Sequence, residues 1–203
     1  MIIEQPPLLY RLLFPGSLWR IPGKEKCVYL TFDDGPVPGV TPWILDVLDQ
    51  YNIKATFFCV GDNVCKHPDI YRMILDRGHQ VGNHTFNHIQ GLSYLSEHYL
   101  ENIEKARAHI DSDLFRPPHG HMRLWQTLRL RKLYRIIMWD VVTRDYSPLM
   151  TPGGVLNVVK RYTRNGSIIV FHDSLKAEVN VRQALSPSIE WMQEQGYQFK
   201  LFD

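Results

Sequence analysis

The sequence predicts an α/β fold in which a parallel sheet curls into a barrel or a strongly curved sheet. Apolar, β-branched runs alternate with helix-length stretches along the chain. This alternation is typical of parallel strands with helices packed outside them. The unit recurs roughly seven times, which favours a barrel or a curved sheet over a short open one. Polar residues also follow several of the apolar runs, as they do in folds whose sites lie at strand ends.

Each element is predicted from a run of suitable residues and a turn or cap signal beside it. The strands are expected near residues 27–32, 54–59, 79–83, 113–116, 135–139, 167–171 and 197–202. The helices are expected near 41–51, 68–77, 94–111, 122–131, 152–164 and 181–195. Thr41 and Thr151 each precede a proline and predict capped helix starts. Gly78 and Gly196 predict helix ends.

Residues 1–25 are predicted to form an N-terminal segment packed on a domain that spans residues 26–203. Leu8, Leu9, Leu12 and Leu13 share one face of a short helix, and burial of that face against the domain is the simpler interpretation. Contact of the same face with a membrane surface is the alternative. The segment lacks the features of an export signal and is too short and broken to span a bilayer. A cytoplasmic location is therefore expected.

The composition sets limits on the partners. The chain of 203 residues carries 23 basic and 21 acidic residues, a net charge of +2. This balance is too weak to argue for nucleic acid or an acidic membrane. The three cysteines, Cys27, Cys59 and Cys65, lie in or beside apolar runs and predict buried, reduced thiols rather than disulfides.

Polar clusters follow five of the predicted strands, and we expect them to meet at one edge of the sheet. The clusters are Asp33-Asp34, His84 with His88, Arg116, Asp140 with Asp145, and His172-Asp173. His84 and His88 are four residues apart, a spacing that would place both imidazoles on one side of a helical turn. Two histidines and a carboxylate, with the remaining positions open, are typical of a catalytic divalent-metal site.

Five motifs resemble those of the polysaccharide deacetylase family, carbohydrate esterase family 4. They are TFDDGP, HTFNH, RPPHG, DVVTRDY and VFH, in the order and rough spacing of that family, from about residue 26 to the C-terminus. The resemblance implies that residues 26–203 form a distorted (β/α)7-type barrel. It also implies metal-dependent removal of N-acetyl, or sometimes O-acetyl, groups from a sugar or oligosaccharide.

Carried over position by position, the resemblance assigns the metal to Asp34, His84 and His88 and the role of catalytic base to Asp33. Arg116 would orient Asp33. One divalent cation is implied, with Zn²⁺ favoured and Co²⁺ or Ni²⁺ as alternatives. The turn at Gly35-Pro36 would let both neighbouring acids reach the site, although side chains in a strand alternate between faces.

The resemblance also supplies the groups for the later steps of acyl transfer. His172 would be the general acid, and Asp145 would support its charged form. The backbone N–H of His119 would stabilise the oxyanion.

Two positions depart from the family pattern. His119 stands where a tyrosine is usual, and Tyr146 stands where a tryptophan is usual. Tyr146 and Trp139 are the predicted walls of a substrate groove, although core packing is the alternative for Trp139. Because fold does not fix substrate, two other functions stay open: an amidohydrolase acting on a small non-sugar amide or imide, and a carbohydrate-binding module without turnover.

Overall fold

A curled parallel sheet forms the centre of the protein. The computed structural model describes residues 4–203. Its strands are β1 Cys27–Asp33, β2 Thr56–Cys59, β3 Gln80–Asn83, β4 Leu114–Phe115, β5 Arg135–Ile136, β6 Val141–Val142, β7 Ser167–His172 and β8 Gln198–Phe199. They pair in the order β5-β4-β3-β2-β1-β7-β6, with β8 beside the start of β1. Every pairing between these strands is parallel, and the predicted (β/α)7-type barrel is confirmed in its distorted form.

Helices cover the outside of this sheet. They are α1 Leu8–Arg11, α2 Thr41–Gln50, α3 Gly61–Lys66, α4 Pro68–Asp76, α5 Ser96–Arg107, α6 Leu124–Leu130, α7 Pro152–Tyr162 and α8 Glu178–Glu194. A 3₁₀ turn spans Pro118–Gly120. Within residues 4–203, no helix combines the length and the apolar character that a membrane crossing requires.

The predicted elements are present, with differences at three places. Helix α3 was not predicted, because Gly61 and Asn63 are typical of a loop. The strand predicted to reach Trp139 ends at Ile136, and β6 forms a further short strand. The hydroxyl of Thr151 caps α7 as expected, by accepting the Gly154 N–H. Thr41 does not cap α2, because it is the first residue of that helix and its hydroxyl donates to Asp173.

The N-terminal segment contacts the sheet on both sides of its opening. The Leu18 N–H donates to the Ile136 carbonyl (2.8 Å), and the Met138 N–H donates back to the Leu18 carbonyl (2.7 Å). The Ile21 N–H donates to the Gly166 carbonyl, just before β7 (2.9 Å). The first three residues of the predicted segment lie outside the described part of the chain, and the division at residue 25 stays a prediction.

The packing of α1 differs from the simpler interpretation of its sequence. Leu8, Leu9, Leu12 and Leu13 are between 59% and 79% exposed, so this leucine face does not pack on the domain. The contacts are made instead by aromatic residues that the leucine pattern did not single out. Phe14 and Trp19 are buried in an apolar cluster under α6, with Tyr10 packed against them.

Two side chains do not lie where the sequence predicts them. Asp140 was expected at the site, and Cys65 was expected to be buried. Asp140 is fully buried beside the start of β7, where it accepts hydrogen bonds from Arg11, Arg164 and Ser167. It belongs to a buried ion cluster and not to the group of catalytic side chains. Cys65 is exposed, although Cys27 and Cys59 are buried as predicted.

Candidate active site

A cavity of about 390 Å³ opens at the carboxyl ends of the strands. This size lies within the usual range for small-ligand sites. Eight of the predicted site residues line it: Asp33, Asp34, His84, His88, His119, Trp139, Tyr146 and His172. The other two, Arg116 and Asp145, are fully buried behind this wall. The strand-end clusters therefore converge as the sequence predicted, apart from Asp140.

Asp33 and Arg116 form a buried ion pair beneath the cavity. The Arg116 Nη1 lies 2.6 Å from the Asp33 Oδ1 and 2.8 Å from the Thr31 hydroxyl. The same guanidinium donates to the carbonyls of Ile137 and Met138. Because four acceptors and full burial fix Arg116, the carboxylate of Asp33 is held in one orientation.

Asp34 leaves the strand geometry at the residue after Asp33. Its φ of 87° lies in the left-handed region, which costs energy for a non-glycine residue, and the Asn63 amide donates to its carbonyl (2.8 Å). This turn brings two adjacent carboxylates to one cavity. Gly35 follows without a side chain because a Cβ there would lie 1.8 Å from Asp173 Oδ2. Asp173 in turn accepts the Gly35 N–H (2.9 Å), which holds the turn.

His84 and His88 meet in a loop and not on a helix, so the helical-turn argument for their pairing was wrong. Thr85 and His88 both have positive φ values, 66° and 54°, and this folded backbone sets the two imidazole centroids 5.1 Å apart. The side-chain oxygen of Asn102 on α5 accepts the N–H of Phe86 (2.8 Å), which fixes the loop.

The ligand atoms of Asp34, His84 and His88 lie within 4.8 Å of one another. The His88 Nε2 is 3.0 Å, and the His84 Nε2 3.7 Å, from Asp34 Oδ1. The His84 Nδ1 contacts the Arg116 carbonyl (2.8 Å), so that Nε2 is the nitrogen left for a ligand. This donor set fits a divalent transition metal.

Two pKa values agree with a ligand role for this group. Burial lowers the pKa of His84 to about 4, so that its imidazole is neutral at pH 7, as metal binding requires. Burial favours the neutral acid at Asp34, but the hydrogen bond from His88 and the neighbouring imidazoles outweigh it. The pKa of Asp34 is therefore held well below its usual range.

His172 and Asp145 form a second pair, across the cavity mouth. The His172 Nδ1 lies 2.8 Å from Asp145 Oδ1, and the His172 backbone N–H donates to Asp145 Oδ2 (2.7 Å). Burial lowers the pKa of His172, but the charge of Asp145 and its hydrogen bond outweigh burial and raise that pKa to about 9. The imidazolium form is thus favoured at pH 7, with Nε2 free to face the cavity.

Aromatic rings and further imidazoles complete the walls. His119 has a φ of 58°, and its ring lies edge-on to that of His88 with centroids 4.9 Å apart. The ring centroid of Tyr146 lies 4.6 Å from that of His172. Trp139 lines the cavity and also packs on Gly120, so wall and packing roles coexist.

Some lining residues were missed by the sequence reasoning. Pro6 and Tyr10 come from the N-terminal segment, and Lys176 comes from the loop after β7. The Tyr10 hydroxyl donates to the Gly120 carbonyl (3.2 Å). Nothing in the local sequence distinguishes Tyr10 from an ordinary packing aromatic. The position of Lys176 four residues after His172 was a usable signal, because loops after strands carry site residues.

Comparison with known proteins agrees with this architecture. The polysaccharide deacetylase family model matches residues 20–133. A peptidoglycan-N-acetylglucosamine deacetylase of Bacillus cereus is 32% identical over 190 residues, which cover 89% of this chain and 88% of the relative. The PgdA deacetylase of Listeria monocytogenes is also 32% identical, over 88% of this chain, which spans only 38% of that longer relative.

Solved structures give the same result. The Bc1960 peptidoglycan N-acetylglucosamine deacetylase has a TM-score of 0.88 and 29% identity, covering 96% of this chain and 94% of that one. The BA3943 protein of Bacillus anthracis, described as a pseudoenzyme of the same family, has a TM-score of 0.78 and 27% identity over 96% of this chain and 70% of its own. The fold alone therefore does not establish turnover. By sequence, fold and the arrangement of its motifs, the chain belongs to the polysaccharide deacetylase family.

Proposed function

We propose that the protein is a metal-dependent deacetylase that hydrolyses N-acetyl groups on an acetylated sugar or oligosaccharide, with O-acetyl groups as a second class. One observation carries this proposal. A single cavity holds the Asp34, His84 and His88 ligand set, the Asp33 carboxylate fixed from behind, and the protonated His172. Family membership and the N-acetylglucosamine substrates named for the relatives support the same reaction.

The metal is proposed to be one divalent cation, Zn²⁺ in vitro, with Co²⁺ or Ni²⁺ as alternatives. Two imidazoles and one carboxylate suit all three ions. A cation bound there would polarise the acetyl carbonyl and make water a stronger nucleophile at neutral pH.

The protein's own groups move the protons. Asp33, oriented by Arg116, takes a proton from the attacking water. The His119 backbone N–H donates to the oxygen that becomes negative in the tetrahedral intermediate. His172 donates a proton from Nε2 to the departing amine nitrogen, and Asp145 stabilises the imidazolium until that transfer. Tyr146 and Trp139 form the walls of the substrate groove.

Acetate release tests the function directly. With added Zn²⁺ or Co²⁺, we expect acetate from N-acetylglucosamine oligosaccharides, and we expect a chelator to abolish the release reversibly. The assay also includes small amides and imides. Turnover of those compounds without any acetate from sugars would favour the amidohydrolase. Sugar binding without acetate release would favour the carbohydrate-binding module.

His84→Ala is expected to reduce the bound metal from about one ion per chain to near zero, because one of three ligands is lost. Elemental analysis of the purified proteins measures this content. His79→Ala is the matched control, since His79 is also buried but its ring accepts the Ala55 N–H away from the cavity. Equal metal content in the His84→Ala protein and the parent would contradict the ligand assignment.

The cytoplasmic location expected from the sequence stays a proposal. Cell fractionation with an antibody against the protein tests it. Recovery outside the cytoplasm would add extracellular polymers to the accessible substrates.

A further inference from the structure

A leucine-rich surface beside the cavity has no partner within the described chain. Leu8, Leu9, Leu12 and Leu13 project from α1 and the turn after it, and each is at least 59% exposed. Folding alone does not account for four clustered, exposed leucines, because scattered single apolar residues are the norm on a protein surface.

Helix α6, which packs beside the N-terminal segment, also carries exposed apolar residues. Leu124 and Trp125 are 56% and 52% exposed, and Leu128 follows one turn later at 41%. The N-terminal segment and α6 lie side by side, since Phe14 shares a buried cluster with Leu130.

Basic side chains lie on and beside α6, and the Arg129 guanidinium lies over the Trp125 ring. Those exposed on or beside α6 are Arg123, Arg129, Arg131 and Lys132. The Arg131 guanidinium lies beside Gly16, three residues beyond the α1 leucines in sequence, with Nη1 3.6 Å from the position of a Cβ there. We call the exposed leucines, Trp125 and these four cations the leucine-basic face.

The net charge of +2 hides a strong separation of charge. Residues 5–24 and 114–139 together contain nine basic residues and no acidic one. The rest of the chain carries 14 basic and 21 acidic residues. Two of the nine basic side chains form ion pairs, Arg11 with Asp140 and Arg116 with Asp33. Of the other seven, Arg123, Arg129, Arg131 and Lys132 are exposed on or beside α6, where their positive charge attracts an anionic surface.

We propose that the leucine-basic face docks on an anionic lipid membrane. Leucine and tryptophan side chains ringed by arginine and lysine are typical of helices that lie in the lipid interface. Docking would bring the cavity close to the lipid surface, since Pro6 and Tyr10, on either side of Leu8 and Leu9 in the sequence, line its wall.

The proposal is independent of the deacetylase reaction and is tested without substrate. The parent protein is mixed at low salt with vesicles of phosphatidylcholine containing phosphatidylglycerol, and with vesicles of phosphatidylcholine alone, and each mixture is sedimented. We expect binding to the anionic vesicles, at least tenfold weaker binding to the neutral ones, and loss of binding at high salt.

Three variants locate the contact. Replacing Leu8, Leu9, Leu12 and Leu13 together by serine should weaken binding at least tenfold, without lowering acetate release from a soluble oligosaccharide. Replacing Arg129, Arg131 and Lys132 together by glutamine should remove the preference for anionic vesicles. The control variant, Leu75→Ser with Val179→Ser, removes exposed apolar residues from α4 and α8 and should bind like the parent.

Brominated lipids give an independent readout. They should quench the fluorescence of Trp125, and Trp125→Phe should remove most of the quenching. The proposal would be overturned if the parent protein did not bind anionic vesicles, or if the serine variant bound them as tightly as the parent. A dimer in analytical ultracentrifugation that the serine variant loses, without any vesicle binding, would instead assign the face to a second copy of the chain.

Discussion

Replacing Asp33 by asparagine is expected to lower turnover roughly 10²- to 10⁴-fold while leaving the metal content unchanged. The asparagine has nearly the same shape, and its carbonyl can still accept the hydrogen bond from Arg116. It cannot take a proton from water, so only the basic function is lost. In the proposed site ligation depends on Asp34, whose carboxylate is the one within reach of His84 and His88. Steady-state acetate release and elemental analysis of the same preparation measure both quantities.

Asp34→Asn is the comparison that separates the two acids. This change should lower both metal content and turnover, because it removes a charged ligand atom. If Asp33→Asn lost its metal and Asp34→Asn kept it, the roles of the two acids would be reversed. Thermal unfolding must accompany the assay, since the buried Arg116 loses its counter-charge in Asp33→Asn, and breaking such a pair can cost about 3–5 kcal/mol.

The sequence predicted the sheet and the convergence of its strand ends because both depend on simple periodic patterns. β1 illustrates this: all seven of its residues are buried, and the run that predicted it is apolar or β-branched almost throughout. Asp33 at the end of β1, Asp34 directly after it and His172 at the end of β7 reach the cavity for the same reason. The carboxyl ends of parallel strands lie at the same edge of a sheet, and this does not depend on the conformation of the loops.

The local geometry of the site was not predictable in the same way. Asp34, Thr85, His88 and His119 all have positive φ values, which non-glycine residues rarely adopt. Contacts distant in sequence hold these conformations, such as the Asn63 amide on the Asp34 carbonyl. An argument from sequence patterns assumes common backbone conformations at these positions. For His84 and His88 it correctly predicted that the imidazoles are close, but it placed them on a helical turn and not in a loop.

The net charge is a total, and it does not describe how charge is distributed over the fold. The net charge of +2 is too weak to argue for an acidic membrane, yet the acid-free segments 5–24 and 114–139 pack side by side in the fold. Their distance in sequence conceals the patch. The exposed leucines of α1 show the same limit, since an amphipathic pattern does not say which face is buried.

Asp145→Asn is expected to move the alkaline limb of the pH–activity profile to lower pH by roughly one to three pH units. The proposed general acid, His172, must be protonated, so we expect activity to fall as pH rises through its pKa, which is about 9 in the metal-free protein. Asp33 and Asp34 also raise this pKa, and a cation on Asp34 cancels part of their effect. For the metal-loaded parent we therefore expect the midpoint of the alkaline limb between about pH 6.5, the unperturbed pKa of histidine, and about pH 9.

The direction of the shift follows from the groups around His172. Without the charge of Asp145, burial acts with less opposition and lowers the pKa, so that the imidazole loses its proton earlier as pH rises. Asp140→Asn is the matched control, because Asp140 is also a buried carboxylate but contacts Arg11 and Arg164 instead of an imidazole. Its alkaline limb should stay at the parent position.

His172→Ala should depress turnover with the metal retained, since the imidazole is not in the ligand set. An Asp145→Asn enzyme with parent turnover and an unmoved limb would mean that His172 acts without a carboxylate behind it. The hydrogen bond of 2.8 Å between the two side chains would then serve only to hold the loop after β6.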